Sequence, residues 1–429
     1  MCYRNIMNSI FVSKIPHGPK VVFAPQKNTE TVTLLVLLPL GSRYETLNLG
    51  GASHFIEHLL FKGTNRRPSN FIISQELDRL GAEYNGFTGE DHTGYWIKTI
   101  RRHLDTSLDL LSDMLFNSLF RKSDFEKEKG VIIEEIKMYR DNPMFYIENL
   151  FEKALYGDHP LGRLISGEIS QIKNLKLKEL LSFKKKFYQS DNLIVVVAGN
   201  VKKEDIKNVK KYFNVSSAKH NTPQFKVFNR RFPSSRVEIL NQNTKQIQIA
   251  LGGIGYPYKH RYSLPLELLS IILGGYMSSR LFSKIRVEQG LTYFIKMGVN
   301  AFVDTGNFVI RAGVDKNNTE KTILLILEEL DKIKKNPPSA EELNRAKDYY
   351  EGRLKISLED SADVASYYGS RVLFYKDNLS PSELVKKIKK VRAEEIQFVA
   401  RELFNRKNIS LSIIGPFKNK NIFEKILNY

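Results

Sequence analysis

Two histidines and one glutamate stand within five residues of one another near the start of the sequence, at His54, Glu57 and His58. On an α-helix, which turns about 100° per residue, the three side chains share one face. Two neutral imidazoles suit a Zn²⁺ ion, and a carboxylate beside them suits a general base acting on a metal-bound water. The order His-x-x-Glu-His is the inverted form of a zinc-hydrolase motif. The alternative is a helix that carries these residues by chance.

A hydrolytic zinc site with two histidines needs a third protein ligand, and the charged stretch 123–139 offers candidates. Helical spacing places Glu128 and Glu135 two turns apart on one face, whereas Glu126 and Glu134 point elsewhere. Glutamates on a charged helix are usually solvated, and spacing alone does not choose between the first two. The residues predicted to bury this helix against the core are Val131, Ile132, Ile136 and Tyr139.

The composition is that of a globular protein, with 42% hydrophobic and 11% aromatic residues. No apolar run approaches the roughly 18 residues of a membrane-spanning helix, and the richest, 31–40, predicts a buried strand. The first residues lack a charged segment followed by an apolar one, which predicts no secretory signal and a cytoplasmic location. The only cysteine, Cys2, excludes internal disulfides and thiolate zinc sites.

The chain is basic, with 66 Lys and Arg against 47 acidic residues and a net charge of +19. Such a balance is compatible with nucleic acid, acidic lipid or acidic peptide partners. The basic residues are scattered in pairs and triplets such as 184–186 and 386–387, without the interleaved aromatic residues of a single-strand binder. Solvated lysine-rich helix faces explain them better, so neither nucleic acid nor a membrane is expected as a partner.

The first half of the chain is predicted to alternate strands and helices around the His-x-x-Glu-His motif. The predicted strands are 7–23, 31–40, 84–87, 94–100 and 192–198, and the predicted helices, besides the motif and 123–139, are 70–80, 104–119 and parts of 155–187. The polar, Pro- and Lys-rich stretch 216–234 is predicted to be a linker between a domain at 1–215 and another at 235–429.

The second half repeats the pattern of the first. Segment 339–356 begins like 123–139, and 408–415 mirrors 192–199. An offset of about 216 residues is far longer than a solenoid repeat and indicates a duplicated domain. The predicted fold class is therefore α+β, with two homologous domains that each contain a mostly antiparallel sheet covered by helices. The helix predicted at 264–274 contains no histidine, so the second copy is expected to lack the metal site.

The chain resembles the pitrilysin family of zinc peptidases with the inverted motif, especially its short two-domain branch with mitochondrial processing peptidase and bacterial relatives. The resemblance runs over nearly the whole chain. Besides the motif, the matching segments are 40–45, 61–64, 85–88, 128–135 and 275–293.

The resemblance implies one zinc ion per chain and selects among the candidate ligands. It implies His54 and His58 as ligands and, by the match after Gly-Val-Ile, Glu135 as the third, with Glu128 as a supporting carboxylate. Glu57 would then be the general base. The resemblance also implies that Arg286 and Tyr293, in the second domain, stabilise the oxyanion.

The resemblance further implies how substrate is held. The segment containing Asn85, Gly86 and Phe87 is similar to the family's edge strand, to which an extended peptide adds as a further strand, and Phe61 would also contact substrate. Unfolded peptides, oligopeptides or presequence-like segments are the expected substrates. Gly86 stands where the family usually has alanine, which predicts a more flexible edge.

Two functions remain open at this stage. The first is a zinc endopeptidase, expected to be a homodimer in which Arg286 and Tyr293 act on the partner's zinc site, although a heterodimer with a metal-free partner is an alternative. The second is a catalytically silent structural or assembly subunit. Loss of motif residues marks the silent members of the family, and because none is lost here the peptidase is favoured.

Overall fold

The computed structural model describes residues 10–215 and 223–428, and these residues form two compact units. The first unit holds the described residues up to Ile136, those of Leu164–Lys226, and Lys355–Asn378. The second unit holds Lys137–Arg163, Val227–Leu354 and the described residues from Leu379 onward. Each unit contains one β-sheet with helices packed against it.

The predicted strands and helices are present with the predicted type and order, although the stretch 7–23 contains two strands, and the structure adds several elements that were not predicted. The strands are β1 (Phe11–Lys14), β2 (Lys20–Pro25), β3 (Thr31–Leu38), β4 (Glu83–Thr88), β5 (Thr93–Ile100), β6 (Ile194–Gly199), β7 (Val237–Asn241), β8 (Ile247–Gly255), β9 (Thr292–Ala301), β10 (Gly306–Val314) and β11 (Ser410–Gly415). The helices are α1 (Ala52–Leu60), α2 (Asn70–Arg79), α3 (Leu104–Asn117), α4 (Lys122–Asp141), α5 (Pro143–Tyr156), α6 (Ile169–Asn174), α7 (Leu177–Phe187), α8 (Ile206–Phe213), α9 (Ser263–Gly274), α10 (Thr319–Lys335), α11 (Ala340–Ser357), α12 (Ser361–Ser370), α13 (Pro381–Lys390), α14 (Ala393–Leu403) and α15 (Asn421–Asn428). Two short segments, Phe282–Glu288 and Arg371–Tyr375, are π-helical.

The sheet of the first unit has the strand order β1-β2-β6-β3-β5-β4. Neighbouring strands are antiparallel except β2 and β6, which run parallel. The central strands β3 and β6 are Val-, Ile- and Leu-rich and buried on both faces, as expected for strands covered on both sides. At one end of the order lies β4, which pairs with β5 and whose residues are mostly exposed or half-buried.

The sheet of the second unit has the order β7-β11-β8-β10-β9. If β1 is set aside, this is the order of the first sheet, strand for strand. The single parallel pair, β7 with β11, corresponds to β2 with β6. The predicted fold class, two homologous α+β domains from a duplication, is therefore confirmed.

Each unit also contains one helix from the other half of the sequence. Helix α5 packs against β8 and β11 in the second unit, and α12 packs against β3 and β6 in the first. In the first unit the hydroxyl groups of Ser361 and Thr33 are hydrogen-bonded at 2.8 Å. The predicted bounds 1–215 and 235–429 follow the sequence repeat, whereas the compact units cross these bounds at the two helices.

The buried face of α4 differs from the predicted one. Its buried residues are Phe125, Glu128, Ile132 and Ile136. Ile132 and Ile136 were predicted to be buried, but Val131 and Tyr139 are 51% and 43% exposed, so that half of the prediction is wrong. The buried row has the three- and four-residue spacing of a helix face, and it includes a glutamate whose burial depends on partners outside α4.

Part of the predicted linker can be placed. Cys2 and residues 216–222 lie outside the described residues. Just after that stretch, the ring of Phe225 lies 5.4 Å from the ring of Tyr44 and 4.0 Å from the guanidinium of Arg43. Arg43 also forms a buried ion pair with Asp91, at 2.8 Å, in the turn between β4 and β5. These contacts fix the loop that leads into α1.

Candidate metal centre

The carboxylate of Glu45 holds the first turn of helix α1 in place. The backbone N–H groups of Gly51 and Ser53 donate to its two oxygens at 2.8 and 2.6 Å. A buried carboxylate there satisfies free donors of the first turn and complements the positive end of the helix dipole. Gly51 has a φ of 87°, and a Cβ at this residue would lie 2.4 Å from the carbonyl oxygen of Ser166. Both features require glycine at the start of the helix.

The three residues predicted as ligands lie together in the first unit. The Nε2 atoms of His54 and His58, both on α1, are 3.3 Å apart. An oxygen of Glu135, on α4, lies 3.7 Å from the first and 3.5 Å from the second. Among the described residues this is the one group of three or more His, Cys, Asp or Glu side chains close enough to hold a metal ion.

The donor atoms fit a zinc ion. In a tetrahedral zinc site with bonds of about 2.0–2.1 Å, ligand atoms are about 3.3–3.4 Å apart. The three separations in the structure lie within about 0.4 Å of that value. Two imidazoles and one carboxylate also match the three protein ligands of hydrolytic zinc sites, which keep a fourth position for water or substrate.

His54 is held in its neutral form. Burial, reinforced by the charge of His58, lowers the pKa of His54 to about 3. Its Nδ1 atom is buried without a hydrogen-bond partner among the described residues. Because metal binding requires unprotonated imidazole, the lowered pKa keeps this ligand available at neutral pH.

Glu128 supports His58 and is itself supported. One of its oxygens accepts a hydrogen bond from Nδ1 of His58 at 2.8 Å, and the other lies 2.8 Å from the ammonium of Lys62. Burial alone would raise the pKa of Glu128, but the hydrogen bonds from His58 and Lys62 outweigh it and hold the pKa below its usual range. An imidazole that donates through Nδ1 presents the lone pair of Nε2, here toward His54 and Glu135.

Glu135 differs from Glu128 in protonation behaviour. Burial raises the pKa of the Glu135 carboxyl even though His58 opposes the shift.

Exposed Glu134 lies beside Glu135 on α4. The two glutamates that spacing placed on one face thus meet α1 differently: Glu135 reaches both Nε2 atoms, and Glu128 reaches the far side of one ring.

Glu57 lies against strand β4. The hydroxyl of Thr88 donates a hydrogen bond to a carboxylate oxygen of Glu57 at 2.5 Å. Burial raises the pKa of Glu57, and the hydrogen bond from Thr88 works in the opposite direction. A Cβ at Gly86 would lie only 2.8 Å from Cγ of Glu57. Gly86 is buried, so this glycine allows the strand to pack closely against Glu57.

The residues predicted to bind substrate lie on β4 or next to it. The rings of Phe61 and Tyr84 are stacked with centroids 6.2 Å apart, which connects the end of α1 to β4. Asn85 is exposed, and its side-chain oxygen accepts from the N–H of Gly86 at 2.9 Å. Phe87 is 36% exposed and its ring contacts that of His92. Even-numbered residues of β4 thus face α1, and odd-numbered ones face the other side.

Arg286 and Tyr293 belong to the second unit, whereas the candidate ligands belong to the first. Arg286 lies in the π-helical segment Phe282–Glu288, with its guanidinium 4.8 Å from the ring centre of Phe282. Tyr293, the second residue of β9, is 78% exposed. Their predicted role in stabilising an oxyanion stays a prediction.

Three residues near the candidate ligands were missed from the sequence: Glu45, Lys62 and Thr88. Lys62 and Thr88 each left a signal in the sequence, whereas Glu45 did not. Lys62 follows His58 by four residues, the spacing of neighbours on a helix, and Thr88 alternates with Gly86 on a strand. Glu45 precedes the helix by several residues, too far for a standard capping motif.

Comparisons with known proteins agree along the chain. Residues 20–168 match the sequence model described as "Insulinase (Peptidase family M16)", and residues 174–350 match "Peptidase M16 inactive domain". The second stretch contains none of His54, Glu57, His58 and Glu135. Of the part of the chain that the structure describes, no helix is long and apolar enough to cross a membrane.

Several bacterial proteins are similar over almost their whole length. The chain is 32% identical to "Uncharacterized zinc protease YmxG" of Bacillus subtilis, over 94% of this chain and 97% of that one. It is also 32% identical to "Uncharacterized zinc protease SCO5738" of Streptomyces coelicolor, over 95% and 89% of the two chains. A crystal structure of a protease from Helicobacter pylori, 25% identical, superposes with a TM-score of 0.88 over 96% of this chain and all of that one.

Proposed function

The chain belongs to the insulinase family of peptidases, family M16, and from that premise we propose that it is a zinc-dependent endopeptidase. The observation that carries the proposal is the convergence of His54, His58 and Glu135 beside the carboxylate of Glu57. Each chain would hold one zinc ion through these three ligands. When bound, zinc lowers the pKa of a water molecule and polarises the peptide carbonyl.

Side chains of the first unit would carry out the proton transfers of the reaction. Glu57 takes a proton from the attacking water and returns it to the leaving amine, which is general acid–base catalysis. Thr88 holds one oxygen of Glu57 and leaves the other free for the proton. The raised pKa of Glu57, caused by burial, brings its acid and base forms closer in free energy at neutral pH.

The proposed substrates are extended, unfolded peptides or presequence-like segments. Strand β4 is the last of its sheet among the described residues, so its outer main-chain groups suit pairing with an added strand. Phe61, Asn85 and Phe87 would contact substrate side chains. Main-chain pairing reads backbone more than sequence, which suits cleavage of many different peptides.

Arg286 and Tyr293 complete the proposal as oxyanion stabilisers. A guanidinium and a phenol directed at the carbonyl oxygen would stabilise the negative charge that develops there. In the proposed homodimer, each chain supplies this pair to the zinc site of its partner. The exposure of Tyr293 leaves its hydroxyl available for such a role.

The alternative, a catalytically silent subunit, is less well supported. Residues 174–350 match a model described as an inactive domain, but the candidate ligands lie outside that range. The candidate ligands and the supporting Glu128 are all present and each lies within 3.7 Å of another member of the group, and the charges of His58 and Glu135 act on Glu57. A silent subunit has no use for such an arrangement.

Substitution of Glu57 tests the proposal. Glu57→Gln should bind as much zinc as the wild type by metal analysis, yet cleave an unstructured fluorogenic peptide roughly 10²- to 10⁴-fold more slowly. Glu126→Gln, which changes an exposed glutamate of α4, is the matched control and should remain active. Wild-type activity in Glu57→Gln would contradict the mechanism, and zinc binding without cleavage by the wild type would favour the silent subunit.

A further inference from the structure

The surroundings of Glu128 contain a lysine that the proposed mechanism does not use. The Glu128 side chain is only 5% exposed, and its two oxygens contact two residues four apart in the sequence, one on α1 and one just after it. His58 lies on one side and Lys62 on the other, each at 2.8 Å. Lys62 follows the end of α1, and its own N–H donates to the carbonyl of Leu59, so a hydrogen-bonded turn connects its backbone to the last residues of the helix.

This arrangement restricts where the carboxylate can go. Glu128 reaches α1 from α4 with a flexible side chain, and one hydrogen bond to His58 would leave its second oxygen buried without a partner. Lys62 supplies that partner and a compensating charge. With both oxygens held, the carboxylate has one position, and its bond to Nδ1 fixes the plane and the tautomer of the His58 ring.

We propose that Lys62 is a positioning residue for metal binding: by holding Glu128 in place, it keeps Nε2 of His58 directed at the site shared with His54 and Glu135. This rests on the proposed function only in so far as these three residues bind zinc. Lys62 acts through Glu128 and His58 and does not itself bind the metal.

A second effect of Lys62 has the opposite sign, which makes the proposal testable. A positive charge near a site for a divalent cation repels the cation, so loss of the charge alone would strengthen zinc binding. Loss of positioning would weaken it, because residues that orient metal ligands typically change affinity about 10- to 100-fold. The ammonium is already paired with the Glu128 carboxylate, so we expect the positioning effect to dominate.

The experiment measures the zinc dissociation constant by competition with a chromogenic chelator. Lys62→Met keeps the length of the side chain and removes its charge, and we expect zinc binding about tenfold weaker. Lys62→Arg keeps a cationic donor and should recover most of the affinity. Lys129→Met is the matched control, because Lys129 pairs with exposed Glu126 on α4 and should leave the dissociation constant unchanged.

A double-mutant cycle shows whether Lys62 acts through Glu128. In a Glu128→Gln background, Lys62→Met should change the dissociation constant by less than about twofold. Thermal unfolding of the metal-free proteins checks that every variant is folded, and Lys62→Gln repeats the test if Lys62→Met is not. Zinc binding by Lys62→Met as tight as in the wild type or tighter, or an undiminished effect in the Glu128→Gln background, would overturn the proposal.

The outcomes separate this inference from the proposed function. Zinc binding that depends on Lys62 in a protein that cleaves no peptide would support the inference and contradict the peptidase. Peptide cleavage with zinc binding independent of Lys62 would support the peptidase and contradict the inference. A wild type that binds no zinc would contradict both.

Discussion

The hydroxyl of Thr88 donates a hydrogen bond to the carboxylate of Glu57 over 2.5 Å, and this contact joins β4 to α1, the helix that carries two of the candidate ligands. It connects the strand proposed to receive the substrate with the proposed general base. Gly86, two residues earlier on the same face of the strand, lies against the same side chain. The position of β4 and the orientation of Glu57 are therefore set together.

Loss of the Thr88 hydroxyl should slow catalysis more than it weakens substrate binding. Without its donor, the Glu57 carboxylate is free to rotate, and misplacement of a catalytic group by about 1 Å costs up to roughly 100-fold in rate. In Thr88→Val we expect kcat to fall about 10- to 100-fold with a smaller change in KM. Steady-state kinetics on an unstructured peptide measure the two constants separately.

Thr88→Ser is the control, because it keeps the hydroxyl and should retain most of the wild-type kcat. If Thr88→Val and Thr88→Ser were equally slow, the methyl group or the strand itself, and not the hydrogen bond, would be responsible. Equal activity of Thr88→Val and the wild type would show that Glu57 needs no such support.

Gly86→Ala should also reduce kcat, by steric displacement. The added Cβ would lie 2.8 Å from Cγ of Glu57, closer than such atoms approach in proteins, so either the glutamate or the strand must move. Alanine is no worse than glycine in a strand, so we expect the fold to remain stable. Kinetics combined with urea unfolding distinguish displacement of Glu57 from loss of structure.

Gly130→Ala provides the contrast, because a Cβ at that residue of α4 meets no other atom within 4 Å. This variant should keep its activity and gain about 0.5–1 kcal/mol in the free energy of unfolding, as expected for alanine in place of glycine inside a helix. A Gly86→Ala variant as active as Gly130→Ala would mean that β4 can move away from α1 at no cost to catalysis.

The candidate metal site shows how much the sequence could predict. The spacing of His54 and His58 determines that they share a helix face, because it is a property of any α-helix. Helical spacing places Glu128 and Glu135 on the same face, so spacing does not distinguish them. Only the family resemblance selects Glu135 as the ligand. The structure separates the two by tertiary geometry: Glu135 reaches both Nε2 atoms, whereas Glu128 reaches Nδ1 of His58.

The difference between the predicted and observed buried face of α4 has the same origin. The apolar pattern predicts Val131 and Tyr139 in the buried row of α4, where the structure has Phe125 and Glu128. Burial of Glu128 depends on partners supplied by α1, which no pattern within α4 reveals. Likewise, the packing of α5 and α12 on the sheet of the other half depends on chain connections and leaves no mark on local periodicity.

Removal of the Glu45 carboxylate should destabilise the start of α1. Its oxygens accept from the N–H groups of Gly51 and Ser53, and without them these donors are buried without partners. We expect Glu45→Ala to lower the free energy of unfolding by about 1–2 kcal/mol and to weaken zinc binding, because His54 lies in the first turn. Urea unfolding measures the first effect and chelator competition the second.

Glu126→Ala is a suitable control for Glu45→Ala, since an exposed glutamate paired at 3.4 Å with half-buried Lys129 should change stability by less than about 0.5 kcal/mol. If Glu45→Ala lost stability but bound zinc normally, the Glu45 carboxylate would stabilise the fold without affecting the positions of the candidate ligands.

Asp113 should make the protein less stable in acid. Although burial would raise its pKa, hydrogen bonds from Thr64, Asn117 and Arg67 outweigh burial and lower the pKa below 3.8. A folded-state pKa below the unfolded one adds stability above the unfolded pKa, and that stability is lost as the pH falls through the folded pKa. The urea midpoint should therefore fall as the pH drops below about 4.

Asp113→Asn loses the charge that pairs with Arg67, so its urea midpoint should be lower than that of the wild type at pH 7. Because the amide cannot titrate, the midpoint should also depend less on pH below about 4. Parallel curves of urea midpoint against pH for the two proteins, from pH 7 to pH 2, would assign the acid sensitivity to other carboxylates. One candidate is Asp109: burial would raise its pKa, but the hydrogen bonds from Arg67 and Arg66 outweigh burial and lower it.

The proposed sharing of one active site between two chains is tested by mixing two inactive variants. Glu57→Gln removes the general base from the first unit, and Tyr293→Phe removes the phenol from the second. If the phenol of one chain acts on the zinc site of its partner, a heterodimer of the two variants contains one site with both groups intact. A mixture should then recover up to about a quarter of the wild-type activity, because about half of the dimers formed at random are heterodimers with one complete site of two. If both groups act within one chain, every site in the mixture lacks one of them, and activity should stay at the level of the separate variants even after mass spectrometry has confirmed the heterodimers.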